Sequence, residues 1–361
     1  MIKSSSPTNF ALASLVSEAL VGWSIHLMRE RVYKMINSVS DYDAILNSIN
    51  RLYKIDGKKM ILHRTSGAKV YYVECGDMKT VFKLYRNIHN RDALQTVDII
   101  MYLSQNEYPV VPIIPTYDGQ THITLDMQGE ENCVGIMFKF IDGVTGCKFS
   151  EIENDKHILH HDLAAFGQQV GKLHSLMDSY NGQLINRGKS YYIDRFISLL
   201  RRDKYNVHKT SAFEQYGQEL WDNIYKLPKG FCHGDIHENN MIYTPDKKYV
   251  ILDWDMSAYS HSVIDVSRIC GEADFNILSE RSYDDTTRMF EMFYKGYSKE
   301  KNLSTEEINA IYDFIPILHY DLIATIVITS NESIMHDFID KQFEWLMQWK
   351  DLCEKKRMRP E

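Results

Sequence analysis

Residues 233–255 read HGDIHENNMIYTPDKKYVILDWD. Two short apolar runs, NMIYT at 240–244 and YVILDW at 249–254, flank the turn-like PDKK at 245–248. Short apolar runs around a Pro-Asp turn predict a β-hairpin. Polar residues gather at both of its ends. His233, Gly234 and Asp235 lead in, Asn240 follows five residues after the aspartate, and Asp253 closes the second run thirteen residues after Asn240.

Working outward, this hairpin interrupts a helical half. From 158 to 179, Leu159, Leu163, Phe166, Val170, Leu173 and Met177 recur in steps of four and three. That spacing makes one continuous buried stripe on a helix. Further helices are expected at 191–202, 211–226, 262–270, 280–298, 305–329 and 331–355. Ser304 and Glu307 form a capping box, and Pro316 is placed to kink the helix that follows. Toward the N-terminus the texture changes. IDGKKMILHRTSGAKVYYVECGDMKTVFKLYR, residues 55–86, is rich in β-branched and aromatic residues. Turn signals at Asp56-Gly57, Ser66-Gly67 and Gly76-Asp77 cut it into antiparallel strands. A helix is expected at 91–107, loops and edge strands over the proline-rich stretch after it, and a strand at 134–143. Residues 10–50 read as helical. The fold class is α+β.

The gross numbers fit this picture. The chain has 361 residues, 44% apolar and 25% charged, with a net charge of −8. A packed core is expected, and the acidic balance argues against binding a nucleic-acid backbone. Six cysteines at 75, 133, 147, 232, 270 and 353 form no C-x-x-C pair, so they read as reduced thiols of a cytoplasmic protein. The apolar stretch at 10–28 is interrupted by Glu18 and His26 and reads as a packed amphipathic helix rather than a leader. LIATIVIT at 322–329 is too short to span a bilayer, so no membrane partner is expected.

Asp235, Asn240 and Asp253 carry the chemistry. Moving a γ-phosphoryl group requires positioning and charge neutralisation more than covalent steps. One carboxylate must receive the hydrogen of the attacking hydroxyl. Hard oxygen ligands, such as a second carboxylate and an amide oxygen, must hold Mg2+ against the phosphates. The three residues match these roles in type and order, and two hairpin strands can bring them to one edge.

The pattern H-G-D-x-x-x-x-N, followed by an apolar strand ending D-W-D, resembles the aminoglycoside phosphotransferase and choline kinase superfamily. It is also similar to the catalytic loop and metal-binding Asp of protein kinases. The resemblance extends over roughly residues 55 to 320. VFKLYR looks like the third strand of the small lobe with its phosphate-binding lysine, Lys83. IMFKFIDG looks like the hinge strand and FGQQVGKLHSL like the first helix of the large lobe. Asp265-Val266-Ser267-Arg268 stands in the place of the family's D-L-A-R. The resemblance implies a protein-kinase-like, two-lobed fold. A small antiparallel lobe at 51–137 and a hinge at 138–141 would lead to a larger helical lobe at 142–361. Residues 1–50 would be a helical extension of the small lobe.

It also implies roles. Asp235 would be the catalytic base or hydroxyl-orienting group, and His233 would brace its loop. Asn240 and Asp253 would bind Mg2+. Lys83 would hold the α- and β-phosphates of ATP or GTP, with Ser66 and Gly67 in the loop above them. Backbone from Met137 through Phe138 to Phe140 would meet the base. Three departures stand out. The nucleotide loop TSGAK has one glycine. His237-Glu238-Asn239-Asn240 stands where the family has H-P-G-N. The helix after Lys83 offers Asp98 rather than a Glu to pair with that lysine, and Asp98 reads equally as an exposed helix charge. Several other polar residues have plainer readings: Asp265 as a helix cap, Asp255 as a supporting charge, His174 as structural, and His237 and Glu238 as solvent-facing.

The resemblance implies a small-molecule hydroxyl as acceptor. Glu272, Asp274, Glu280, Asp284 and Asp285 suggest a cationic acceptor such as an aminoglycoside, although surface acidity explains them equally well. Choline, sugar, homoserine and methylthioribose kinases share the core, and some spore-coat-associated proteins look similar. A kinase-like binding protein with little turnover is the second reading. A protein kinase is disfavoured, because D-F-G and A-P-E segments are missing.

Overall fold

The turn residues and β-branched runs between 57 and 139 build one antiparallel sheet. In the computed structural model, which describes residues 39–76, 78–127, 129–145, 163–330 and 336–357, five strands follow the order β1-β2-β3-β5-β4. They are β1 (Lys59–Ser66), β2 (Ala68–Cys75), β3 (Met78–Tyr85), β4 (Ile123–Met127) and β5 (Glu130–Lys139). Gly67 links β1 to β2 at φ +67°, a left-handed conformation that disfavours any side chain. In the central strand β3, Lys83 lies opposite Val70 of β2 and Ile136 of β5.

Helix α1 (Val39–Tyr53) precedes the sheet. It covers the described part of the stretch read as helical over 10–50 and runs on to Tyr53; the rest of that stretch lies outside the described residues. Helix α2 (Asn90–Gln105) buries Ala93, Val97, Ile100 and Leu103. Its polar residues tie the sheet to the helical half. Gln95 Nε2 donates to Ser257 O at 2.7 Å, Gln95 Oε1 accepts from Ile185 N at 2.6 Å, and the Tyr102 hydroxyl donates to Leu176 O at 3.0 Å.

The helical half contains α3 (Leu163–Met177), α4 (Arg195–Arg202), α5 (Val207–Ile224), α6 (Val263–Cys270), α7 (Ser282–Tyr297), α8 (Thr305–Ser330) and α9 (His336–Arg357). The chain therefore has the expected α+β, protein-kinase-like class, with an antiparallel small lobe and a helical large lobe. The apolar stripe of α3 is buried from Leu163 to Met177, while Leu159 lies outside the described residues. Glycines let α3 and α7 approach closely. A methyl group at Gly296 would overlap the carbonyl of Ala164, and one at Gly167 the carbonyl of Phe293.

The capping box at the start of α8 is present: Ser304 N donates to Glu307 Oε2 at 2.8 Å and Glu307 N to Ser304 Oγ at 3.2 Å. The helix runs on through Pro316. By length and composition α8 could cross a membrane, but 67% of its apolar stretch is buried inside the protein, so core packing accounts for its character. On α9, Trp345 stacks on His319 at 3.9 Å.

The expected hairpin forms from β7 (Met241–Tyr243) and β8 (Tyr249–Ile251). A second pair, β6 (Gly230–Cys232) with β9 (Ala258–Ser260), was not expected. Three-residue strands are too short to leave a periodic signal.

Candidate active site

The loop after β6 is set by one buried carboxylate. Asp265, in the first turn of α6, is fully buried. Its Oδ2 accepts from His233 N at 2.7 Å and its Oδ1 from Gly234 N at 2.8 Å. Oδ2 also meets His174 Nε2 at 3.0 Å. A carboxylate only accepts, so His174 carries its proton on Nε2, and Nδ1 faces the Tyr297 hydroxyl at 2.9 Å. Burial pushes Asp265 up, yet the bonded His174 outweighs it and holds the carboxyl below its usual range. The helix-cap reading of Asp265 is thus corrected: it holds the loop. Gly234 sits at φ +80°, and a Cβ there would lie 2.5 Å from Met256 O, so the tight passage under the loop requires glycine.

His233 braces the same loop. Its Nε2 faces Leu252 O at 3.0 Å, so that nitrogen is protonated and Nδ1 accepts from Asp235 N at 3.2 Å. Burial lowers its pKa and keeps the ring neutral. Asn240 then fixes Asp235: its Nδ2 donates to Asp235 Oδ2 at 2.9 Å and to Asp235 O at 3.0 Å. Its own Oδ1 has no protein donor among the described residues. Leu252 N donates to Asn240 O at 2.8 Å, which ties Asp253, the next residue, to this group. Burial pushes the Asp235 carboxyl up, but the His237 contact and the charge of Arg268 prevail and hold it well below the usual range.

Asp253 is left-handed, at φ 61°, ψ 62°, a conformation that is costly for a residue with a Cβ. Its Oδ1 accepts from Lys83 Nζ at 2.6 Å, and Arg64 Nη1 lies 3.7 Å from Oδ2. Lys83 Nζ also donates to Asp255 Oδ2 at 2.6 Å. The other oxygen of Asp255 accepts from the Tyr85 hydroxyl at 2.7 Å and faces Thr96 Oγ1 at 3.5 Å. Burial alone would lower Lys83, but the surrounding groups and carboxylates keep its pKa well above the ordinary value. Asp98 is not its partner. It lies exposed on α2, outside the buried set Ala93, Gln95, Thr96, Val97, Ile99, Ile100 and Leu103.

A carboxylate at Asp253 and a free amide oxygen at Asn240 are hard donors that suit a small divalent cation. No group of three or more His, Cys, Asp or Glu able to hold a metal ion occurs among the described residues, so such an ion would need phosphate oxygens to complete its shell.

On the nucleotide side, Ser66 and Gly67 form the β1–β2 link, and the space around Gly67 is open. The expectation for the hinge backbone needs correction. Met137 O accepts from Ile114 N at 2.8 Å, and Lys139 N donates to Pro112 O at 2.9 Å. Alternate strand residues turn to opposite edges, so Phe138, opposite Val81, faces β3. The first backbone past the paired strand is that of Phe140, whose ring lies against Tyr72 at 6.0 Å.

The family model described as "Phosphotransferase enzyme family" (APH) matches residues 62–300, well over half of the chain. The chain belongs to this family. No curated protein matches this phosphotransferase-family chain, but many solved structures share its fold. The amicoumacin kinase hAmiN, in complex with AMP-PNP, Ca2+ and Ami, superposes with a TM-score of 0.70 at 18% identity, covering 88% of this chain and 96% of that one. A microcompartment-associated aminopropanol kinase gives 0.64 at 15%, covering 86% and 95%. The choline kinase LicA from Streptococcus pneumoniae gives 0.58 at 12%, covering 87% and 99%. At these identities the likeness shows a shared fold.

Within this family member, part of the acidic segment after Asp255 is committed elsewhere. Asp284 pairs with Lys356 at 2.6 Å, Asp285 lies 3.5 Å from Arg281, and Asp274 Oδ1 accepts from Asn276 N and Ile277 N. The charged residue that does adjoin Asp235 is Arg268, with Nη1 3.5 Å from Oδ1. The D-V-S-R segment placed Arg268 on the right helix, but no motif gave it a role.

Proposed function

We propose that this chain is a Mg-dependent phosphotransferase that moves the γ-phosphoryl group of ATP or GTP to a hydroxyl of a small molecule in the cytoplasm. The observation that carries this reading is the convergence of two bonded pairs, Asp235 with Asn240 at 2.9 Å and Lys83 with Asp253 at 2.6 Å, tied by the Leu252 N donation to Asn240 O at 2.8 Å. Family membership supports the reaction class.

Asp235 Oδ1 receives the hydrogen of the acceptor hydroxyl and orients its lone pair toward phosphorus. The new O–P bond forms as the bridging O–P bond between β- and γ-phosphates breaks, and the nucleoside diphosphate leaves. The hydroxyl proton passes to Asp235. With its pKa depressed, Asp235 is a weak base that acts mainly by orientation, as suits a loose phosphoryl transition state. Lys83 offsets charge on the phosphates. Asn240 Oδ1 and Asp253 would hold the divalent cation, whose chemistry is to neutralise the phosphate oxygens.

Asp235→Asn and Asp253→Asn should each lower turnover by about 10²–10⁴-fold with the unfolding temperature nearly unchanged. The measurement is an ATP-consumption screen over hydroxylated metabolites and antibiotics, run beside thermal stabilisation by Mg-ATP. Near-native turnover in both variants would overturn the assignment. Stabilisation by Mg-ATP without transfer to any acceptor favours a nucleotide-binding protein with little turnover.

A further inference from the structure

The surroundings of Asp235 narrow the acceptor, given the phosphotransfer reading above. Oδ2 of Asp235 is taken by Asn240 at 2.9 Å, with His237 Nε2 at 3.6 Å. Oδ1 has Arg268 Nη1 at 3.5 Å. A hydroxyl donating to Oδ1 therefore arrives beside the Arg268 guanidinium.

Arg268 is one helical turn past Asp265 on α6, so its backbone is anchored by the same helix that holds the catalytic loop. A guanidinium offers five N–H donors, yet Arg268 makes no hydrogen bond to any described residue. Its contacts to Asp235 and to Asp321 Oδ2, at 3.5 and 3.8 Å, are longer than hydrogen bonds. Its Nε is buried without a partner. The buried carboxylate that might have satisfied it, Asp321, is already bonded to Arg195 at 2.6 Å.

A cationic acceptor finds little here to bind it. The ring of Tyr191 carries the guanidinium carbons of Arg187 and Arg195, each 4.7 Å from its centroid, so it is already engaged as a cation-binding surface. Arg187 is itself fixed by Met256 O at 2.8 Å and Asp92 at 3.2 Å. What remains unsatisfied beside the catalytic oxygen is a set of charged donors, and their natural complement is a planar or tetrahedral oxyanion.

We propose that the acceptor is a hydroxylated oxyanion, with a carboxylate or phosphate near the reacting hydroxyl, and that Arg268 is the residue that selects it. Its positive charge also offsets the repulsion such a group would meet from Asp235.

The native protein with Mg-ATP is assayed against three panels: hydroxy acids, hydroxylated phosphate esters, and amino alcohols including aminoglycosides. Nucleoside diphosphate release and the phosphorylated product are followed together. Transfer to either anionic panel supports the proposal and says which oxyanion is read. Transfer confined to the cationic panel overturns it and leaves the phosphotransfer reading standing. No transfer in any panel overturns both.

For the compound accepted, Arg268→Met should raise KM on the order of ten- to a hundredfold, and Arg268→Lys should restore part of the loss. Calorimetric binding of the same compound, with a non-hydrolysable nucleotide present, should weaken in parallel. Unchanged KM and binding in Arg268→Met would overturn the role of Arg268. Should Arg268→Met fail to fold, Arg268→Gln carries the test: unchanged affinity for the anion in that variant overturns it too.

Discussion

At the scale of single residues, the site turns on where Lys83 finds its second carboxylate. One is Asp253, which also faces the expected metal position. The other is Asp255, held in turn by the Tyr85 hydroxyl. Asp255 thus acts as a positioning residue that keeps the ammonium from collapsing onto Asp253 alone. Asp255→Asn should raise KM for ATP by about tenfold or more, the loss of a charge-assisted hydrogen bond, and Tyr85→Phe by less. An ATP-directed acylating reagent should label Lys83 more slowly in Asp255→Asn. Native labelling with a shifted Mg2+ dependence would instead make Asp255 a metal ligand. Asp235, Asn240 and Asp253 were legible in the sequence because their types and order follow from the chemistry, and Lys83 through the family resemblance of VFKLYR. The partner of Lys83 was not. A helical position one step from the buried arc looks adequate on paper, but Thr96 and Val97 face inward and Asp98 does not.

At the scale of elements, the joint between α3 and α7 is the most demanding. Gly167 and Gly296 bring the two backbones together, and a methyl group at either would overlap a carbonyl of the opposite helix. Gly296→Ala gains roughly 1 kcal/mol of helix propensity, but it must separate packed helices at a cost of about 3 kcal/mol or more. A net loss of stability is expected, read as a lower denaturant midpoint; an unchanged midpoint would show that the joint yields freely. The apolar stripe of α3 announced this helix correctly. Its glycines gave no comparable signal, since a glycine in a helix reads only as weakened propensity until the facing helix is known. The paired strands β6 and β9 escaped for the related reason that their partners are far apart in sequence.

At the scale of the whole molecule, pH acts through a buried histidine. His319 is 5% exposed, stacked on Trp345 and near Phe275 at 4.6 Å. Burial pushes its pKa down to about 3, whereas the unfolded chain protonates it near its ordinary value of about 6.5. Unfolding therefore takes up a proton between these values, and the ring's contribution to stability is lost as pH falls through that window. From this ring alone, stability at pH 5 should be about 2 kcal/mol lower than at pH 7. His319→Phe, which keeps a ring against Trp345, should flatten that slope in urea titrations at the two pH values; an equal slope would assign the acid sensitivity elsewhere. The fold class of the described residues was readable because period, turns and motif agreed. The group around Tyr191 was not, because residues 268 and 321 come from two segments far from 187–195 and meet it only in the folded protein.

Asp265 joins these scales. One carboxylate satisfies two amides of the His233–Asp235 loop and the imidazole of a core helix, so the order of the loop depends on the packed helices. The order of this loop cannot outlast the core, nor arise before it. During synthesis the loop must wait, still unshaped, until the chain has grown past residue 265 and α6 has docked.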